Sequence, residues 1–589
     1  MKTQRNNHHL DEHLVDADEH IIGGLDHGPL LGHVDRVDST VIEVHLLGDH
    51  IAPRVTVADL VALAIRDGEF VIGLVDAVTR HEAPGENGRP GGSVRVMPVG
   101  MVRPRAGSPL GVFRRGTPAF PYIGGGCHLI KGELLTRFMT ILAGAVTPSE
   151  RLVLGHYVAD QKSPAIADGN HLFQRHAAIL GSTGTGKSWA VALMLERAAR
   201  LSHPNVIVFD VHGEYWPLTE DAPGRPASAR GLRVAGPADR GQDREDLLHL
   251  PYWLLERDEF MTLGQDPNDP HAADQMFRFS EHVLALKEIA LADAGRQQAV
   301  DTFTIDSPIP YRLAHLVQML KQDDSERIPR HPGNHLDPGP YNGRLTGLIS
   351  RIEARAADPR YAFIFDPPEA TLTFEWLVQT AEKLLEARAD APGIKLIDLS
   401  EVPSAIVPMV CGVLARLIFE IQFWMKPESR TPVCLVCDEA HLYLPPAEDS
   451  GPVHGVALRA FESIAKEGRK YGVALVVVSQ RPTDVSRTIL SQCHNFMIMR
   501  VTNDYDRAMI ERLIPETLAG VTTILPVLDI GEAIVIGDAL LLPTRIKLDP
   551  PVVAPASDTQ PYWSLWSERA SSTEAIAAGA EAARNQFRE

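Results

Sequence analysis

Gly181-Ser182-Thr183-Gly184-Thr185-Gly186-Lys187-Ser188 fills every fixed position of the pattern GxxxxGK[ST]. The apolar run Ala177-Ala178-Ile179-Leu180 precedes it, and a helix-like run from Trp189 to Ala199 follows. A strand, a glycine-rich loop and a helix are what phosphate binding needs. The loop backbone curls its N–H groups into a nest, and the helix N-terminus adds partial positive charge. Gly181, Gly184 and Gly186 permit the tight path, because a side chain there would clash or forbid the backbone angles. The expected ligand is ATP with Mg²⁺. Ser182, Thr183 and Thr185 complete the cradle, Lys187 reaches for the β- and γ-phosphates, and Ser188 holds the metal.

Moving outward, apolar strands that end in polar residues recur through the same region. Val433-Cys434-Leu435-Val436-Cys437 delivers Asp438 and Glu439. Asp438 is expected to order the Mg²⁺ shell and Glu439 to polarise the attacking water. Asn205 to Phe209 leads into Asp210 and then Val211-His212-Gly213-Glu214-Tyr215. Val473 to Val478 ends in Ser479-Gln480-Arg481-Pro482, where Gln480 can sense the γ-phosphate. Cys434 and Cys437 make a CxxC pair, but on a strand that spacing sends their side chains to opposite faces. Packing is therefore the expectation for them, not metal or disulfide.

The remainder of the chain sets bounds. At 589 residues it should hold two to four domains, with 44% hydrophobic and 23% charged residues, ordinary for a globular protein with real cores. No apolar stretch is expected to approach the roughly 18 residues of a membrane span, and five scattered cysteines make no disulfide framework. A cytoplasmic home and no membrane partner are expected. The formal charge of −19 argues against DNA coating a free outer face, yet fits a ring that keeps its basic residues in a channel. Residues 1–25, with His8, His9, His13 and His20, read as a disordered tail; residues 26–160 read as short strands of a β-barrel. Residues 161–550 read as the α/β core, interrupted by a helical insertion at about 217–392, with Pro332, Pro338 and Pro340 marking loops in it. A tail at 551–589 carries Trp563 and Trp566.

A single phosphate loop in the chain suggests a site shared between copies. No cation near the core motifs is evident for the transferred phosphoryl group, and such charge is commonly supplied by an arginine from a neighbour, worth roughly 10³–10⁵ in rate. Arg469, at the end of the helix after Asp438-Glu439, is the first candidate, and Arg175, before the phosphate-loop strand, the second. Contacts of this head-to-tail kind close into rings.

Taken in order, GSTGTGKS, DxHGEY at Asp210 to Tyr215, DEAH at Asp438 to His441, GRKYG at Gly468 to Gly472 and SQRP at Ser479 to Pro482 resemble the HerA family, of the wider HerA/FtsK group. The β-rich N-terminal region and GEAIVIGDALLLP at Gly531 to Pro543 add to the likeness, which runs from about Leu31 to Pro550. The resemblance implies a HAS-barrel-like domain on a RecA-like P-loop NTPase core with a helical insertion, and a homo-hexamer that threads double-stranded DNA. It implies that Lys187, Ser188, Asp438 and Glu439 serve ATP and Mg²⁺, that Asp210 and Glu214 support the site, and that Gln480 acts as sensor. It also implies an effector partner, a NurA-like nuclease in DNA end processing, or a sirtuin-like or nuclease effector in phage defence. Two readings compete. A superfamily 2 helicase would carry two cores and a late QRxGRxGR motif, which is missing here. A nucleotide-gated ring scaffold that activates an effector with little DNA transport stays open.

Overall fold

The computed structural model describes residues 25–38, 40–48, 55–66, 68–84, 90–105, 108–116, 118–329, 336–557, 560–568 and 572–585. The histidine-bearing tail and Pro332 lie outside them.

Seven strands come first: β1 (Leu30–Val37), β2 (Ile42–Leu46), β3 (Leu60–Arg66), β4 (Glu69–Pro84), β5 (Pro90–Arg105), β6 (Ser108–Arg115) and β7 (Gly126–Ile130). They pair in the order β2-β1-β7-β3-β4-β5-β6, and β2 also pairs with β5, which closes six of them into a barrel and leaves β6 outside the ring. Register shifts in β4 and β5, at Ile72/Gly73 and Val75/Ala77, mark the bends that closure needs. Alternation does the filling: Leu31, Val34, Ile42, Val44, Val61, Leu63, Val71, Val94 and Val96 face the barrel interior. The opposite face of β3 to β6, with Leu60, Phe70, Ile72 and Phe113, packs on helix α1 (Glu133–Gly144), where Phe113 meets Phe138 edge to face at 5.8 Å.

The chain then builds a second sheet from β8 (Arg151–Tyr157), β9 (Pro164–Asp168), β10 (Ala177–Leu180), β11 (Val206–Asp210), β12 (Ala229–Val234), β13 (Leu247–Leu248), β16 (Ile394–Asp398), β17 (Val433–Cys437), β18 (Val473–Ser479), β19 (Asn495–Ile498), β20 (Glu532–Gly537) and β21 (Thr544–Leu548). A separate hairpin, β14 (Arg327–Pro329) with β15 (Leu336–Pro338), belongs to the insertion. The large sheet runs β13-β12-β16-β11-β17-β18-β10-β19-β20-β21-β8-β9. It is parallel from β13 to β19 and antiparallel beyond. Two expected boundaries move. β8, counted with the barrel on its short alternating pattern, pairs with β21 and β9 in the core sheet. Residues 229–248, counted with the insertion, supply β12 and β13 at the other edge. These strands lie at or next to the margins of the sheet, where the local pattern does not say which sheet a strand joins.

Helices cover both faces. The short α2 (Gly169–Gln174) precedes β10, and α3 (Lys187–Ala198) follows the phosphate loop. The insertion itself is α4 (Arg257–Gly264), α5 (Ala272–Asp293), α6 (Gln297–Val300), α7 (Leu313–Ser325), α8 (Thr346–Ala357), α9 (Ala362–Phe365) and α10 (Phe374–Leu385). It packs on α11 (Val407–Trp424), which is long and apolar enough to cross a membrane by length and composition, contrary to the reading that no stretch comes near that. About two thirds of α11 is buried inside the protein, and Arg416 on it ties Glu259 of α4 at 2.8 Å; its apolarity is that of a helix held between sheet and insertion. α12 (Pro452–Tyr471) crosses α11 closely at Gly412, where a Cβ would lie 2.8 Å from the Ala457 backbone. Cys434 and Cys437 do face opposite layers, one with α3 and the other with α11, and neither is bonded.

α13 (Arg487–Gln492) and α14 (Asp504–Leu513) complete the core. After β21 a strap lies along α3, where the N–H groups of Val552 and Val553 donate to Glu196 at 2.9 and 2.6 Å. Its Ala556 N–H reaches Glu214 O at 2.7 Å. α15 (Tyr562–Glu568) and α16 (Thr573–Asn585) then leave Trp563 and Trp566 exposed.

Candidate nucleotide site

The phosphate loop joins β10, buried along its whole length, to the first turn of α3. Gly184 and Gly186 take φ of +72° and +103°, angles that L side chains rarely adopt. At Gly181 a Cβ would stand 2.8 Å from Met499 Cβ and 2.9 Å from Thr185 Oγ1. The loop is pinned from β19 and β20: Ser182 N–H donates to Arg500 O at 2.9 Å, and Gly531 N–H to Thr185 O at 3.0 Å. Lys187 opens α3 and folds back, its Nζ donating to Ser182 O at 3.2 Å. Burial lowers its affinity for a proton, against the pull of Glu439, Asp438 and Glu214.

Parallel register brings the acids to Lys187. β16, β11 and β17 are neighbours, and all end at the edge of the sheet from which the phosphate loop emerges; Asp210 and Asp398 are direct partners in register. Asp210 accepts N–H bonds from Glu214 at 3.0 Å and Tyr215 at 2.9 Å, which fixes the DxHGEY turn. Its carboxyl is pushed up to about 6, by burial first, although those N–H bonds oppose the shift. Asp438 is pushed well above the carboxylate range by burial, then by Glu439, Asp210 and Glu214. Asp398 was not among the expected residues, although its strand, Ile394 to Asp398, ends in an acid just as β11 does.

Such a pocket is short of positive charge. Four acids, Asp210, Glu214, Asp438 and Glu439, act on one lysine or on one another, and Glu439 Oε2 is buried without a hydrogen-bond partner. Among the described residues no three His, Cys, Asp or Glu side chains gather into a ready-made metal cage. Mg²⁺ does not need one: it keeps waters and substrate phosphates and takes one or two protein oxygens. Ser188 and Asp438 fit that kind of ligand set.

Glu439 follows β17 with φ +44° and ψ +45°, a left-handed conformation in a non-glycine residue. Its Oε1 accepts from Gln480 Nε2, and Gln480 Oε1 accepts from Thr183 Oγ1 at 2.5 Å. Strand β18, paired to β10 at Leu180↔Ser479, carries Gln480 to the loop. Gly181 to Ser188, Asp210, Glu214, Asp438, Glu439 and Gln480 are thus assembled at one edge of the sheet.

Arg175 and Arg469 are not there. Arg175 directly precedes β10, at the other end of that strand, and pairs with Asp538. Arg469 is exposed in the last turn of α12, just before β18 begins. The two flank His176, a buried imidazole whose Nδ1 accepts Leu475 N–H at 2.9 Å and whose pKa falls to about 4 through burial, with His494 and Arg469 adding. Asp538 is also held by Arg115 of β6 at 3.0 Å, and Arg115 donates as well to Gly537 O, Leu540 O and Leu541 O. A cation that the sequence reading passed over does stand near the loop edge: Arg481, solvent-facing and paired with Asp484 at 3.5 Å, acts electrostatically on His441.

A family profile described as "Helicase HerA, central domain" matches residues 152–418. A Methanocaldococcus jannaschii protein named "Probable DNA double-strand break repair helicase HerA" is 36% identical over 439 residues, covering 69% of this chain and 77% of that protein. The Pyrococcus furiosus "DNA double-strand break repair helicase HerA" is 24% identical, over 65% of this chain and 66% of its own length; the chain spans about two thirds of several such archaeal relatives. Among solved structures, VirB4 of Thermoanaerobacter pseudethanolicus is similar with a TM-score of 0.43 and 18% identity, over 71% of this chain and 99% of that one. With the P-loop core, the ordered motifs and the 36% identical relative in hand, the chain belongs to the HerA family of P-loop ATPases.

Proposed function

We propose that this chain hydrolyses ATP to drive duplex DNA through a homo-hexameric ring, in concert with a nuclease or another effector protein. The observation that carries the reading is the placement of the acids and Lys187 at one sheet edge, with Arg175 and Arg469 at the other. Neither arginine can reach its own nucleotide across the length of β10, about 13 Å for four residues. An adjoining copy in a head-to-tail ring would offer them to its neighbour. The family relatives named for double-strand break repair support DNA as the substrate.

In this mechanism Lys187 neutralises phosphate charge, and Ser188 and Asp438 would hold Mg²⁺, which would supply electrostatic stabilisation of the phosphoryl oxygens. Asp210 orients the Glu214 turn through its two N–H bonds. Glu439, released from Gln480, orients the attacking water and accepts its hydrogen bond. Arg469 from the neighbour, or Arg175, meets the charge that develops on the transferred group. DNA held by its backbone would bind with strong salt dependence and little sequence preference.

The test is ATP turnover by the purified chain with and without duplex DNA. A rate raised by DNA supports the motor. Nucleotide binding without turnover, DNA present or not, would favour the effector-clustering scaffold instead.

A further inference from the structure

We infer that His441 is a positioning residue for Glu439, acting on the carboxylate oxygen that Gln480 leaves free; the inference rests on the hydrolase reading above. Glu439 presents two oxygens to its surroundings. Gln480 occupies Oε1. Oε2 is buried and has no hydrogen-bond partner. His441 Nδ1 lies 3.3 Å from it, and that nitrogen is also buried without a partner.

A nitrogen and a carboxylate oxygen left over in the same small space are complementary. Their separation is close to hydrogen-bond length; the alignment is what is lacking, and a modest rotation of either side chain supplies it. The local backbone explains the pairing. Left-handed Glu439 starts the short turn Ala440–Leu442, which curls the chain so that residue 441 returns to the side of residue 439. The groups facing the ring are Glu439 and Asp484, which favour its protonation, and Arg481 and Lys187, which oppose it; burial outweighs them and favours the neutral ring. A neutral imidazole with its proton on Nδ1 donates to Oε2. Gln480 and His441 then fix the carboxylate plane from both sides. Gln480 is tied through Thr183 to the phosphate loop and can respond to the nucleotide. His441 has no such tie to the loop and keeps hold of Glu439 when Gln480 lets go.

The experiment compares His441→Ala and His441→Asn in the full chain, reading kcat and KM for ATP, the affinity for a non-hydrolysable ATP analogue, and the melting temperature. Asn places an amide nitrogen near the position of Nδ1. The expected result is a kcat about 10- to 100-fold lower for His441→Ala, with analogue affinity and KM within about twofold, and most of the rate restored in His441→Asn. A His441→Ala rate within twofold of the unaltered chain, a change confined to KM, or equal loss in both variants would overturn the inference. Normal turnover by His441→Ala beside an inactive Glu439→Gln overturns this assignment alone, whereas no turnover by the unaltered chain overturns the hydrolase reading with it.

Discussion

Glu439 occupies backbone space that costs a non-glycine residue on the order of 1 kcal/mol, and it keeps one oxygen buried and unpaired. Both facts suit a group held ready for a ligand rather than for stability. Glu439→Gln should keep nucleotide affinity and lower turnover by roughly 10²-fold or more, read by steady-state hydrolysis beside analogue binding. Unchanged turnover would remove Glu439 from the water-orienting role. His176 gives a second residue-scale prediction. Its folded pKa of about 4 lies below the ordinary 6.5, so the folded state prefers the neutral ring. Stability from this site is present above about 6.5 and is lost as pH falls towards 4, by roughly 3 kcal/mol if the whole shift is expressed. Urea titrations at pH 7 and pH 4.5 should show this loss in the unaltered chain and a smaller one in His176→Asn.

α11 and α12 cross closely at Gly412. Gly412→Val pushes two methyls and a Cβ toward the Ala457 backbone, 2.8 Å from where that Cβ would sit. It should cost about 1–3 kcal/mol or more, measured as a lowered urea midpoint with the m-value retained. The central parallel strands β11, β17 and β18 were legible because each is a short, continuous apolar run that delivers a polar residue: Asp210, Asp438 and Ser479 announce the sheet edge where the chemistry lies. β8, β9, β12 and β13 were not legible in the same way. They sit at the margins of the sheet, and nothing local distinguishes a strand that joins the barrel from one that joins the core. The apolarity of α11 was underrated because Arg416 and Glu420 interrupt its apolar run, yet Arg416 pairs with both Glu420 and Glu259 of α4. The phosphate loop, Asp210, Glu214, Asp438, Glu439 and Gln480 could be gathered from motifs alone. Asp398 and His441 needed the register of β16 and the turn after Glu439.

At the scale of the molecule, the barrel and the ATPase core meet around Asp538, shared by Arg115 and Arg175. Arg115→Ala should loosen the end of β6 from the β20–β21 turn, seen as faster limited proteolysis there, while the apolar cluster shared by barrel, α1 and core keeps the two parts together and the melting of the core little changed. The larger claim is that one copy carries an incomplete site. Arg469→Ala is expected to bind ATP normally and to lose turnover by roughly 10³-fold or more. The direct measurement separates assembled rings from single chains by native mass and reads the ATP turnover of each fraction at equal chain concentration. Turnover in the ring fraction with essentially none in the single chains is the predicted result. Full-rate hydrolysis by an isolated single chain would contradict the account.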